Sequence, residues 1–190
     1  MALVLNGSTD TITGLQINSA NIVNGSITAD DLASGVGGKF ASYAIICDQK
    51  AQNTDSGTLN SGAWYTRDLN TELLDSDNIV TISNNKFTLQ AGSYYIEASA
   101  PAYKVDQHNI KLYQTSGTPA DIAFGTAEYA NSNEGNVANR SFLFCRVTIS
   151  TSTEYEIRQK SGLSKSTNGM GVQSNNSVEI YTVVKIFKEA

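Results

Sequence analysis

Residues 86–99, KFTLQAGSYYIEAS, alternate apolar and polar side chains on both sides of the Ala91-Gly92 pair. A period of two is typical of a β-strand with one buried face, and a glycine between two such runs predicts a turn. We therefore expect two strands here. Because neighbouring side chains on a strand point to opposite faces, Tyr94 and Ile96 should enter the core, whereas Tyr95 and Glu97 should face away from it.

The same texture continues from Phe40 to the C-terminus, with polar turns between short apolar runs and no amphipathic helical pattern. Several short strands separated by turn signals predict an all-β sandwich. The predicted strands cover residues 41–47, 79–83, 86–89, 93–99, 109–113, 122–124, 141–149, 154–159 and 177–187.

The last predicted strand is apolar on both faces. One face carries Val184 and Ile186, and the other carries Tyr181, Val183 and Phe187. A strand with two apolar faces is either covered on both sides or part of a subunit interface. A lone sandwich would leave the second face exposed, so we predict a homotrimer with Tyr181, Val183 and Phe187 in its interface.

The first 38 residues contain no aromatic side chain, and they repeat short apolar clusters followed by glycine turns. A segment this short cannot enclose its own core, so its apolar residues need other chains for burial. We predict two parts, an attachment stem over residues 1–38 and a head over residues 39–190, with short helical turns over residues 28–35 and a glycine hinge at residues 35–38. The predicted attachment residues are Leu3, Leu5, Ile12, Leu15, Ile22, Val23 and Ile27.

Charge and composition exclude several classes of protein. The net charge is −5 without a basic cluster, which disfavours binding to nucleic acid or to an anionic membrane. One His and two Cys disfavour a multi-ligand zinc or iron–sulfur site. Cys47 and Cys145 lie in apolar runs and are interpreted as buried thiols, with a disulfide as the alternative. The N-terminus has no secretory signal pattern, so we expect synthesis in the cytoplasm.

The sequence contains no arrangement of nucleophile, acid and base that would indicate an enzyme, and no cofactor motif. His108 lies between Gln107 and Asn109 and is predicted to be a surface or loop histidine. Asp75 and Asp77 group oxygen ligands of the kind that Ca²⁺ prefers, but they lack the rest of an EF-hand loop. They are a weak calcium candidate beside the simpler interpretation as a turn.

Three long polar loops, at residues 48–61, 126–139 and 161–176, are better candidates for recognition, because rigid sandwiches place binding residues on loops. Their Asn, Gln and Tyr side chains suit a glycan, and plain solubility is the alternative. The candidate receptor-binding residues are Gln52, Asn53, Asp55, Tyr129, Asn131, Asn133 and Asn136.

The run from Phe87 to Ile96 resembles the aromatic, turn and Gly-x-Tyr-x-hydrophobic pattern of the C1q/TNF-like jelly-roll family. The strands at residues 110–113, 142–149, 155–159 and 178–187 follow it as they do in that family. The resemblance covers about 150 residues, from 40 to 190. It implies a jelly-roll β-sandwich that forms a compact homotrimer and serves as a binding head on a stalk.

The stretch IVNGSITADDL, residues 22–32, resembles the shaft or attachment segments of bacteriophage fibres. A fibre-like stem joined to a C1q/TNF-like head implies a non-enzymatic phage virion protein, such as a tail fibre. The N-terminus would attach to tail, baseplate or capsid proteins, and the head would recognise a host surface glycan or protein. The alternatives are a purely structural virion component, as in a capsid decoration or head fibre, and a secreted C1q-like ligand.

Overall fold

A computed structural model of the chain describes residues 22, 23, 26, 27 and 38–190. The chain divides into two units, Met1–Gly37 and Gly38–Ala190, and every regular element in the described residues is a strand of the second unit. The strands are β1 (Phe40–Lys50), β2 (Tyr65–Thr66), β3 (Thr71–Leu74), β4 (Val80–Ser83), β5 (Lys86–Leu89), β6 (Gly92–Tyr103), β7 (Asp106–Gln114), β8 (Ala120–Phe124), β9 (Glu128–Ala130), β10 (Ala138–Ile149), β11 (Thr153–Ser161) and β12 (Glu179–Glu189).

The strands form two antiparallel sheets. The five-stranded sheet has the order β10-β6-β12-β1-β3. The seven-stranded sheet has the order β4-β5-β11-β7-β8, with β2 paired to β11 and β9 paired to β7. Sequence neighbours such as β6 and β7 lie in different sheets, so the chain crosses repeatedly between the layers. This is the predicted jelly-roll β-sandwich.

The main core lies between the two sheets and is built from alternate residues of their strands. Tyr94 and Ile96 of β6 are fully buried in it, together with Ile110 of β7 and Ile157 of β11. The register predicted for β6 is therefore confirmed. The buried Tyr94 hydroxyl donates to the Gln90 carbonyl at 3.0 Å, which satisfies its polar end within the turn before the strand.

Strand β12 departs from the predicted alternation. Its pairing with β1 shifts register between Cys47 and Gln49, where three steps on β12 oppose two on β1. The extra residue changes the phase of burial, so Tyr181 and Thr182 are both buried while Ile180 is exposed. The prediction that Tyr181 shares the outward face of Val183 and Phe187 is wrong for this reason.

Three strands, β2, β3 and β9, were not predicted from the sequence. β3 contains Leu73 and Leu74 but lies at the edge of its sheet, and β9 lies within the stretch predicted as a recognition loop. All three are short, so none presents enough alternation to be distinguished from a polar loop.

Both cysteines are free thiols, which confirms the interpretation preferred over a disulfide. Cys47 is buried, and Cys145 is half-buried against the main core. Burial raises the pKa of Cys145 to about 11, so this thiol stays protonated at neutral pH.

Most of the stem predictions, including Leu3, Leu5, Ile12 and Leu15, the helical turns and much of the hinge, lie outside the described residues. Of the attachment residues, Ile22, Val23 and Ile27 are described, and all three are exposed. Among the described residues, no helix has the length and apolar character needed to cross a membrane.

Candidate functional site

The outer side of the five-stranded sheet carries a row of aromatic rings. The strand register sets Phe187 of β12 directly opposite Tyr43 of β1 and Tyr95 of β6. The Phe187 ring lies 6.3 Å from the Tyr43 ring, 6.2 Å from the Tyr95 ring and 5.3 Å from the Phe40 ring. Tyr43 is nevertheless 51% exposed, so the four rings form an aromatic surface patch.

The same surface continues toward β10, where Phe142 and Phe144 are both exposed. These two residues and Val183 line a shallow depression of about 80 Å³. The surface formed by Phe40, Tyr43, Tyr95, Phe142, Phe144, Val183 and Phe187 is called the aromatic face below.

Ion pairs interrupt the aromatic face. Lys185 donates to Glu97 at 3.3 Å, and Arg146 makes a two-pronged contact with Glu189 at 2.8 and 2.6 Å. Each charge thus has a partner in the same chain, so covering this face with another protein would not bury an unpaired charge. Of the three residues predicted for the trimer interface, Val183 and Phe187 lie on it.

The structure gives Tyr181 a different role. Its hydroxyl donates to the Thr54 carbonyl at 2.7 Å, and a Cβ added to Gly171 would lie 2.4 Å from its ring. Tyr181 is therefore buried beneath two loops of its own chain. It fastens those loops to β12 and is not available to a neighbouring chain.

The three polar loops share a second, smaller core. Leu59 of the first loop and Met170 of the third are buried against Val105 and Ala130. Backbone hydrogen bonds join the first and third loops directly, since Leu59 and Lys165 exchange N–H to carbonyl bonds at 3.0 and 2.8 Å. Sequence patterns showed these loops as separate, whereas the fold joins their bases and leaves their tips in water.

The candidate receptor-binding residues of the first loop mainly hold it to the third. Gln52 donates to the Asn175 carbonyl at 2.9 Å, and Asp55 accepts the Gln173 N–H at 2.9 Å. Asn53 has a positive φ of 68°, a backbone conformation that asparagine tolerates better than most residues. These three residues therefore shape the loop pair.

In the second loop, Asn131 accepts the Asn133 N–H at 2.9 Å and closes a local turn. Asn136 accepts the Tyr103 hydroxyl at 2.7 Å. Tyr129 is the exception among the candidates, because it lies on strand β9 with its ring 49% exposed.

Tyr129 lines an open pocket of about 630 Å³ on the seven-stranded sheet. Three neighbouring strands build the pocket, because β9 and β11 pair with opposite sides of β7. The pocket is lined by Gln107, His108, Asn109, Ala127, Glu128, Tyr129, Lys160, Ser161 and Gly162. Only Tyr129 among them was predicted from the sequence as a candidate, since the others come from three distant segments with no common motif.

His108 was predicted at the surface, and that prediction is wrong. Only 4% of the residue is exposed, and it shares the inward face of β7 with Ile110 and Leu112, which are buried. The alternation 108, 110, 112 was visible in the sequence and could have revealed it. Two polar partners, Gln159 and Asn139, satisfy the buried imidazole.

The histidine belongs to a directed chain of hydrogen bonds behind the pocket. Arg67 only donates, so its bond of 2.9 Å to Gln159 fixes the amide oxygen of that residue as the acceptor. The Gln159 amide then donates to His108 Nδ1 at 3.1 Å, and His108 Nε2 donates to Asn139 Oδ1 at 2.8 Å. The Asn139 amide donates in turn to the Glu128 carboxylate at 3.4 Å.

This polar chain runs from a buried cation to the carboxylate in the pocket wall. Each step fixes the orientation of the next, so His108 is held as the neutral Nε2–H tautomer. Burial lowers the pKa of His108, and the hydrogen bond to Asn139 and the charge of Glu128 only partly oppose it. The imidazole is thus neutral at physiological pH.

Arg67 connects this polar chain of hydrogen bonds to both sheets and is itself fully buried. Its guanidinium donates to Thr182 of β12 at 2.9 Å and to Ser56 at 3.3 Å. Ser56 donates at 3.0 Å to Asp48, a buried carboxylate that also pairs with Lys50 at 3.0 Å. Burial lowers the pKa of Arg67 to about 10, which leaves it charged at neutral pH.

Asp75 closes a turn. Its two carboxylate oxygens accept the N–H groups of Ile79 and Val80 at 2.9 and 3.0 Å, while Asp77 is exposed. No group of three or more His, Cys, Asp or Glu side chains suited to a metal ion occurs in the part of the chain that the structure describes. The turn interpretation of this motif is the one the geometry favours.

The sequence matches no protein-family model and no curated protein. Solved structures do match it. Murine APRIL at pH 8.0 aligns with a TM-score of 0.51 at 10% identity, over 77% of this chain and 98% of that one. The globular domain of zebrafish complement 1qA protein aligns with a TM-score of 0.50 at 16% identity, over 77% of this chain and 95% of that one. Eiger TNF from S. frugiperda aligns with a TM-score of 0.51 at 13% identity, over 80% of this chain and 94% of that one.

These identities are low, so the matches bear on the fold alone. The architecture is a TNF/C1q-like jelly roll, as the resemblance in the sequence implied.

Proposed function

We propose that this chain is a non-enzymatic, homotrimeric fibre protein of a bacteriophage virion. Residues 39–190 form an exposed head that recognises a host receptor, and residues 1–38 attach the head to tail, baseplate or capsid proteins. The fold supports the trimer, because the C1q/TNF-like resemblance implies one. The phage assignment is supported by the resemblance of residues 22–32 to fibre segments.

The aromatic face is the observation that carries the proposal. Isolated apolar side chains are ordinary on protein surfaces, but a contiguous patch marks an interface. Here Phe40, Tyr43, Tyr95 and Phe187 touch one another across three strands, with Phe142 and Phe144 beyond them on β10. A symmetric trimer in which each chain contributes its aromatic face would bury these rings around the common axis.

The trimer is tested with the purified full-length chain by size-exclusion chromatography with light scattering. We expect the mass of three chains at micromolar concentration. A monomer of about 20 kDa under these conditions would contradict the proposal, and so would a dimer.

The virion role is tested with the source culture. We expect the chain to co-purify with phage particles, and antibodies against residues 39–190 should label a fixed position on them. Deletion of residues 1–38 should abolish incorporation while leaving a soluble head. A chain found free in the medium, with none on particles, would favour the secreted-ligand alternative.

The receptor role is distinguished from a purely structural role by binding to cells. A fluorescent trimer should label host cells and compete with phage adsorption. If particles carrying the chain adsorb equally well after its head is removed, the head is structural.

A further inference from the structure

We infer that the open pocket lined by β7, β9 and β11 binds a neutral carbohydrate, with Tyr129 against one face of a single pyranose ring. This inference rests on the proposed receptor role and names the class of ligand and the place where it binds. A volume of about 630 Å³ falls within the ordinary range of small-molecule sites and exceeds what one ring fills.

The strand register brings the recognising groups onto one face. Tyr129 lies opposite Gln107, and Lys160 lies opposite Asn109. Residues in such positions share a face of the sheet, and these four are exposed or half-exposed. The face thus combines one aromatic ring with two amides and an amine, which suits a ligand that has an apolar C–H surface and a rim of hydroxyl groups.

The charges of the pocket favour a neutral ligand. Among the lining residues, Lys160 carries one positive charge and Glu128 one negative charge, so the pocket has no net charge. The remaining lining is small or uncharged, with Ala127, Ser161 and Gly162 at the edges. An aliphatic ligand would leave the amides unpaired, which costs binding energy.

The pocket groups are held in place by neighbours outside the pocket. Glu128 accepts hydrogen bonds from Thr126 at 2.9 Å and from Asn139 at the end of the polar chain. Tyr129 is held by its place on β9, which pairs with β7, and the Asp106 carboxylate at the start of β7 accepts the Ser132 N–H at 2.9 Å. Fixed groups lose little freedom when a ligand arrives, which raises affinity for a small, weakly binding molecule.

The pocket stays accessible in the proposed trimer. It lies on the seven-stranded sheet, whereas the aromatic face belongs to the other sheet. Each trimeric head would then present three outward-facing pockets. Several individually weak sites that bind the same sugar-coated surface together would give a large gain in avidity.

The inference is tested with the full-length chain and a panel of methyl glycosides of glucose, galactose, mannose, N-acetylglucosamine and N-acetylgalactosamine. Saturation-transfer NMR identifies binders, and chemical-shift titration gives the dissociation constant. We expect at least one glycoside to bind with a dissociation constant on the order of 1 mM, the usual range for a ligand of this size.

Three variants localise the site. Tyr129→Ala should weaken binding at least about tenfold, and Tyr129→Phe should retain it to within about threefold, because the ring face remains. Gly162→Ala should weaken it several-fold, since the new Cβ would meet the Gln107 amide oxygen at 2.4 Å and push this flexible side chain aside. Phe124→Ala is the control, because Phe124 is an exposed aromatic residue of the same sheet outside the pocket.

Several results would overturn the inference. They are the failure of every glycoside in the panel to bind, equal binding by the Tyr129→Ala variant, and stronger binding of sialic acid than of any neutral sugar. If host cells bind the Tyr129→Ala trimer as well as the unaltered trimer, the pocket assignment fails while the receptor role stands. If the unaltered trimer binds a glycoside through Tyr129 but binds no cells, the receptor role fails instead.

Discussion

On the five-stranded sheet the outward aromatic rings pack against one another, whereas two rings on the side of the seven-stranded sheet, Tyr113 and Trp64, each lie against a cation of the same chain. Phe187 lies among three other rings. Tyr113, by contrast, lies 3.6 Å beneath the Arg158 guanidinium, and the Lys111 amine is 4.4 Å from the Trp64 ring centre.

This contrast indicates how each face meets its surroundings. A cation stacked on a ring covers that ring within its own chain, so the ring has less to gain from contact with a second protein. Rings without such cover favour association, because a second protein that removes them from water lowers the free energy. The contrast therefore supports the proposal that the five-stranded sheet self-associates and that ligand contact belongs to the seven-stranded sheet.

The largest expected effect comes from placing a charge on the aromatic face. Phe187→Asp should convert the trimer to a monomer at micromolar concentration, because it puts three carboxylates into one interface and each lost aromatic anchor costs about 2–4 kcal/mol. Light scattering measures the change. Phe124→Asp, which introduces the same charge at an exposed ring of the other sheet, should leave the trimer intact. If both variants or neither dissociate, the two faces do not differ as argued.

The next effect separates the core from the face on one strand. Tyr94→Ala should lower the free energy of unfolding by about 3–5 kcal/mol, since a fully buried aromatic side chain leaves a cavity. Tyr95→Ala should lower it by less than half as much when both are made in the monomeric Phe187→Asp chain. Denaturant titration measures both values, and equal losses would contradict the assignment of Tyr95 to an outer face.

A smaller effect concerns the histidine behind the pocket. Since burial lowers the pKa of His108 below its ordinary 6.5, the unfolded chain binds the proton at a higher pH than the folded chain. The free energy of unfolding should be fully retained above pH 7 and should fall as pH drops through 6.5, with a slope of at most about 1.4 kcal/mol per pH unit.

The assignment of that slope can be checked because His108 is the single histidine of the sequence. His108→Gln should abolish the dependence between pH 7.5 and 5. A slope that persists in this variant would have to come from another group, and the neutral tautomer inferred from the polar chain would lose its support.

Sequence patterns were sufficient for the fold where alternation was long. The run around Tyr94 gave the register of β6, and the outward positions of Val183 and Phe187 followed from the same period. Sequence patterns failed at Tyr181, because a β-bulge shifts the alternation of buried and exposed side chains and cannot be recognised from local composition. The pocket could not be predicted, since Gln107, Tyr129 and Lys160 meet only through strand pairings between distant segments.

The smallest expected effect is the coupling energy of a single pair of side chains, measured once on each sheet. A double-mutant cycle of Tyr113→Leu and Arg158→Gln should give a coupling of about 1 kcal/mol, within the usual range for a half-buried cation–π pair. Because this contact lies within one chain on a wet face, the coupling should not change with protein concentration. The matching cycle of Tyr95→Leu and Phe187→Leu should give a coupling that grows as concentration rises into the trimeric range, since association desolvates those rings. Thermal or denaturant unfolding at two protein concentrations measures both cycles. If the Tyr113–Arg158 coupling also depended on concentration, the seven-stranded sheet would be an interface as well, and the pocket beside it would not be open to a ligand in the assembled protein.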